Sequence, residues 1–152
     1  MVFMRWFAGM NKRIVSVGDL VVDLITPVSL PILPFQHQEA RSLLIEPGGG
    51  CNFVIMASRL GADVLAVGAL GNDVFGTQLL QVLQAEGVDT RGVTVYPDSR
   101  TTVVYALIDL AKQEHVFIGC PGDGPEVIYS ETLDAMVTSG GAIFLQGYNL
   151  HE

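Results

Sequence analysis

Glycine punctuates the segment Pro47–Asn72, PGGGCNFVIMASRLGADVLAVGALGN. An extended run ends in three glycines, and Asn52 follows almost at once. A helix-like run, Phe53–Leu60, stops at Gly61, and a strand-like run, Asp63–Leu70, stops at Gly71. Without a Cβ, glycine reaches positive φ and lets a ligand approach the backbone. Three glycines before a helix start also expose amides at the positive end of the helix dipole. The segment thus implies strand, tight turn, helix and strand, with a polar small-molecule site at Gly48–Asn52. Taken alone, the glycines favour a plainer reading, a tight loop into a buried helix.

The remaining chain alternates in the same way. Arg13–Gly18 is short, apolar and rich in β-branched residues, which predicts a buried strand continued by Asp19–Ile25. Pro27, Pro31 and Pro34 make Thr26–Phe35 a loop or edge segment. Ala40–Glu46 is predicted to be a strand leading into the glycines. Phe53–Leu60, apolar nearly all round, predicts a well-buried helix ended by Gly61. Asp73 is placed to cap a helix over Phe75–Glu86, and Val93–Tyr96 is a short strand. Thr101–Leu110 and His115–Cys120 flank a polar tip and read as a hairpin. Ser130 can cap a helix at Glu131–Thr138, and Ala142–Gln146 is a last buried strand. Alternating strands and helices with near-continuous apolar strands indicate an α/β protein with a largely parallel sheet. The Ala40–Glu46 strand and the hairpin fall outside that alternation and predict a small separate lid.

Composition narrows the function classes. The 152 residues are 49% hydrophobic and only 16% charged, with a net charge of −8. An acidic surface argues against nucleic acid and anionic membranes. No apolar run reaches the length of a membrane span. Two cysteines, Cys51 and Cys120, make no disulfide framework and read as buried free thiols in a reducing cytoplasm. His37, His115 and His151 are scattered without metal-ligand spacing. Neither the glycine cluster nor the Gly18-Asp19 turn has the G-x-G-x-x-G spacing of a dinucleotide site.

Gly48, Gly49, Gly50, Asn52, Gly61 and Gly71 together resemble the first signature of the ribokinase/PfkB carbohydrate kinase family: glycines, a short small-residue spacer, Asn, a helix ending in Gly and a further Gly ten residues on. Val54 departs from it, since the family prefers Ala, Ser or Thr there. The resemblance runs from Arg13 to Glu152 and implies a ribokinase-like fold, a Rossmann-like sheet flanked by helices with a small β lid over the sugar site. Residues 1–12 are then an N-terminal extension, and residues 13–152 the N-terminal, acceptor-substrate part of a kinase domain. The family's second signature, Asp-Thr-x-Gly-Ala-Gly-Asp, supplies the catalytic base and anion hole and does not occur here. The expected chain is therefore truncated, with no catalytic residue of its own. ATP and Mg²⁺ serve the full-length family, and neither is expected to bind this chain productively.

The resemblance also selects the acceptor residues. Asp23 ends the run GDLVVD, like the family's Gly-x-x-x-x-Asp that holds sugar hydroxyls. An Asp amid Val and Leu is costly to bury without a partner. The Asn52 amide can bridge two hydroxyls or cap the helix. Gly48, Gly49 and Gly50 bring backbone amides to the substrate; Gly50 stands where many family sugar kinases have Lys. Gln146 and Tyr148 follow the last strand, where open α/β sheets place ligands. Asp19 reads as a solvated or capping residue. The expected partner is a small sugar or nucleoside, with a homodimer through the lid left open. The competing reading is an inactive remnant that holds a polyol or dimerises.

Overall fold

The computed structural model describes residues 13–122, 127 and 130–146. Four parallel strands form one sheet in the order β5-β4-β1-β8. They are β1 (Arg13–Val17), β4 (Asp63–Gly71), β5 (Asp89–Tyr96) and β8 (Ala142–Leu145). A second sheet has the order β3-β2-β6-β7, built from β2 (Leu20–Pro27), β3 (Leu44–Gly49), β6 (Val103–Asp109) and β7 (Glu114–Cys120). Its β2–β6 pair is parallel and its two outer pairs are antiparallel.

Alternation along β4 explains the layering. Val64, Ala66 and Leu70 face a core shared with α1 (Gly50–Arg59) and α2 (Val74–Ala85), through Val54, Leu79 and Leu83. Leu65 and Val67 point the other way and join Val15 beneath α3 (Glu131–Thr138), which adds Leu133, Met136 and Val137. A strand with helices on both faces has no polar face to show, hence its continuous apolar sequence. The α1–α2 core runs on into the second sheet through Leu20, Val22, Leu24 and Val103.

The helix ends follow their sequence signals. Asp73 caps α2 by accepting the Gly76 amide at 2.8 Å, and Ser130 caps α3 from the Leu133 amide at 3.1 Å. Gly61 and Gly87 take φ of 88° and 77° just past α1 and α2, the left-handed conformation that ends a helix.

Several expectations need correction. Asp19–Ile25 does not continue the first strand: the chain bends at Gly18–Asp19 and β2 starts the second sheet. Sequence periodicity does not register the bend, because both strands are apolar. The strand expected at Ala40–Glu46 instead starts at Leu44, as β3, and takes in Gly48 and Gly49, so the glycines are ladder and helix-start residues rather than a loop. Helix α1 is buried only at Gly50, Cys51 and Val54, and Met56 is 54% exposed, since no described element covers its outer side. Cys51 is buried as expected, whereas Cys120 is exposed on β7, an edge strand.

Candidate functional site

The bend at Gly18–Asp19 and the β3–α1 junction meet at the carboxyl ends of β1 and β8. Register fixes the meeting: Val17 lies opposite Leu145 on β8, and Leu20 lies opposite Gly49 on β3. The Gly50 amide donates to the Asp19 carbonyl at 3.1 Å. The Asp19 amide donates to Gln146 Oε1 at 2.7 Å. Gly49 turns the chain from strand into helix at φ 54° and ψ −129°, a conformation open to glycine and strained for other residues.

Asp23 lies two residues along β2 from Val21, the register partner of Gly48. Its carboxylate occupies the space that a Cβ on Gly48 would fill, so the two pack face to backbone. Glu46 stands opposite it across the β2–β3 ladder, a second acid on the same row. Asp23 is half-buried and has no hydrogen-bond partner among the described residues. Burial raises its pKa above the ordinary 3.8. Two acids in one row and a carboxylate without a partner are poor choices for stability alone.

Asn52 does not cap α1. The N-cap is Gly49, with no side-chain bond, and Asn52 sits in the first turn, exposed. Its carboxamide has no partner among the described residues. The Cys51 thiol points inward, accepts the Val21 amide, and is pushed up to about 12 by burial. That value leaves it protonated and unreactive at neutral pH.

Asp23 thus packs against Gly48, and Gln146 against Gly49 and Gly50, through β2, the β3–α1 junction and the end of β8, while Asn52 follows in the first turn of α1. Tyr148 lies outside the described residues. Sequence reasoning missed the part played by Asp19, whose backbone joins α1 to β8. The signal was only the two-residue Gly-Asp break between apolar runs. A separate concavity of 520 Å³ lies at the amino ends of β1 and β5, against α3. Its guanidinium groups are engaged, Arg13 with Asp63 and Asp89, and Arg91 with Asp89. Chemically, this end of the sheets carries an accepting carboxylate on β2 and an exposed carboxamide in the first turn of α1, both groups that can bind hydroxyls.

Residues 11–134 match the model of the pfkB family of carbohydrate kinases. The chain is 30% identical over 142 residues to fructokinase-1 of Oryza sativa subsp. japonica, covering 92% of this chain and 42% of that protein. It is 35% identical over 101 residues to probable fructokinase-3 of Arabidopsis thaliana, covering 66% and 28%. Among solved structures, Halothermothrix orenii fructokinase superposes with a TM-score of 0.72 at 25% identity, over 88% of this chain and 45% of its own. The sugar kinase PH1459 of Pyrococcus horikoshii, solved in complex with ATP, gives 0.60 at 31% identity, over 75% and 35%. The chain thus spans less than half the length of the relatives it matches.

Proposed function

Because the chain belongs to the pfkB family of carbohydrate kinases, we propose that it carries the acceptor-sugar site of such a kinase. The observation that carries this reading is the half-buried Asp23 carboxylate, without a partner among the described residues and packed against Gly48. A sugar hydroxyl donating to that carboxylate would replace the water it gave up on burial. Asn52, on α1, would accept from one hydroxyl and donate to the next. The missing side chain at Gly48 lets the Asp23 carboxylate sit against the backbone, and Gln146 bounds the site on the β8 side.

The acceptor is a sugar or nucleoside, with D-fructose the first to test given the fructokinase relatives. The donor in the complete reaction is ATP with Mg²⁺. Among the described residues no cluster of His, Cys, Asp and Glu could hold a metal ion. Asp23, Asn52 and the glycines act on the acceptor side only. The cell compartment proposed is the cytoplasm. No described helix is long and apolar enough to cross a membrane.

A homodimer through the second sheet is part of the same reading. Leu44, Ile25, Ala106 and Phe117 share one row, and its outer members Leu44 and Phe117 are exposed.

Calorimetric titration of D-fructose into the chain tests the acceptor site. Hydrogen bonds to a charged group contribute about 1.5–3 kcal/mol. Asp23→Ala is therefore expected to weaken binding at least about tenfold. Equal binding by both proteins would refute the assignment of Asp23.

A further inference from the structure

Gln146 stands at the edge of the proposed acceptor site, yet its carboxamide is already occupied. Oε1 accepts the Asp19 amide at 2.7 Å. Nε2 lies 2.8 Å from where a Cβ on Gly50 would be, and 3.7 Å from the same point on Gly49. A side chain at position 50 and the Gln146 carboxamide would therefore contend for one space. The Gly50 amide in turn donates to the Asp19 carbonyl.

We propose that Gln146 is a positioning residue: its carboxamide fills the place of the missing Gly50 side chain and clamps the Asp19 bend to the start of α1. The inference rests on the acceptor-site reading for its consequence, not for its geometry. Two chain connections meet here, Gly18–Asp19 between β1 and β2 and Gly49–Gly50 between β3 and α1. The β2–β3 ladder holds Asp23 against Gly48, but it does not fix that pair relative to Asn52 on α1. Gly49, in a conformation that glycine alone adopts easily, is a weak joint between them. The bonds Gly50 to Asp19 and Asp19 to Gln146 close the joint and tie it to β8 of the first sheet. On this account Gly50 and Gln146 are a matched pair, and changing either has the same effect on the bend.

Amide hydrogen exchange on the whole chain tests the clamp, with the buried β4 amides of Val64–Val67 as the control for folding. Losing one hydrogen bond is worth about a factor of ten. Gln146→Ala and Gly50→Ala are each expected to speed exchange at Asp19 about tenfold while β4 stays protected. The double variant should add little to either single change. Gln146→Glu, which keeps an acceptor oxygen, should restore protection, and Gln146→Met should not. Fructose affinity should fall in Gln146→Ala and recover in Gln146→Glu in step with Asp19 protection. Unchanged exchange at Asp19, or effects that multiply in the double variant, would overturn the clamp. A loss of fructose affinity with Asp19 still protected would also overturn it, since Gln146 would then touch the sugar itself. If the unmodified chain binds no fructose, the acceptor reading fails, and the exchange data alone decide the clamp.

Discussion

In the proposed acceptor site, Asp23 would serve the ligand at the expense of the fold. Burial raises its pKa above 3.8, so the folded state disfavours its charged form. The sign follows from linkage. A raised folded pKa gives the folded state extra protons between the two values, so stability is greatest below 3.8 and falls as pH rises through the folded pKa. Replacing the carboxyl by a neutral amide removes that penalty. Asp23→Asn is expected to melt higher than the unmodified chain at pH 7, with the gap closing as pH falls toward 3.8, while fructose binding weakens. A melting temperature lower at pH 7 would mean that the carboxylate has a stabilising partner. The residue stands out in the sequence, because an Asp within LVVDLI has no apolar reason to be there. Its seat against Gly48 does not, because that depends on a ladder register between strands about twenty residues apart. Asn52 shows the converse. Its residue type suits a cap, but the strand runs on through Gly49 and moves the cap position upstream.

Among the elements, the start of α2 holds the densest polar knot. Asp73 accepts the Gly76 amide at 2.8 Å, the Thr101 amide at 2.8 Å and the Thr101 hydroxyl at 2.8 Å. Thr101 leads into β6, so the cap of a helix on the first sheet also anchors the second. Gly71 and Gly76 complete the knot, since a Cβ on either would collide with backbone, of Ser99 and Arg100 or of Gly71 itself. Desolvation pushes the Asp73 carboxyl up, but the amides of Gly76, Thr101 and Phe75 and the Thr101 hydroxyl together outweigh it and lower the pKa. A lowered folded pKa stabilises above 3.8 and loses that stability as pH falls through the folded value. Loss of a helix cap costs about 0.5–2 kcal/mol, and the Thr101 bonds add to it. Asp73→Ala is expected to lower the melting temperature at pH 7 and to flatten its acid dependence below pH 4. Parallel acid profiles for the two proteins would contradict this. The cap was readable from Asp73 and the apolar spacing behind it. The tie to Thr101 was not, because the partner comes from a distant turn.

At the scale of the molecule, apolar surface is left uncovered along an edge strand of each sheet, among other described places. Ile143 and Leu145 on β8 are more than half exposed, and every residue of β7 is exposed. Both are edge strands, and edges with apolar side chains are templates for association. The net charge of −8 opposes this weakly, because screening at physiological salt acts within about 8 Å. The chain is expected to self-associate in sedimentation velocity and to bind a dye for exposed apolar surface. A monodisperse, dye-negative monomer would contradict that expectation. The fold class was legible at this scale because apolar strands alternating with helices admit few layered solutions. The size of the second sheet was not, since β2 carries the same apolar pattern as β1 and only the bend at Asp19 separates them.

Asp23, the glycines Gly48–Gly50 and Asn52 are proposed to form one acceptor site for a sugar. The most direct measurement is an amide chemical-shift titration of the labelled chain with D-fructose, without ATP. Saturable shifts are expected at Asp23, Gly48, Gly49, Gly50 and Asn52, with none at Arg13, Asp63 and Asp89 at the other end of the sheet. Absence of saturable shifts, or shifts confined to the Arg13–Asp89 end, would contradict the account.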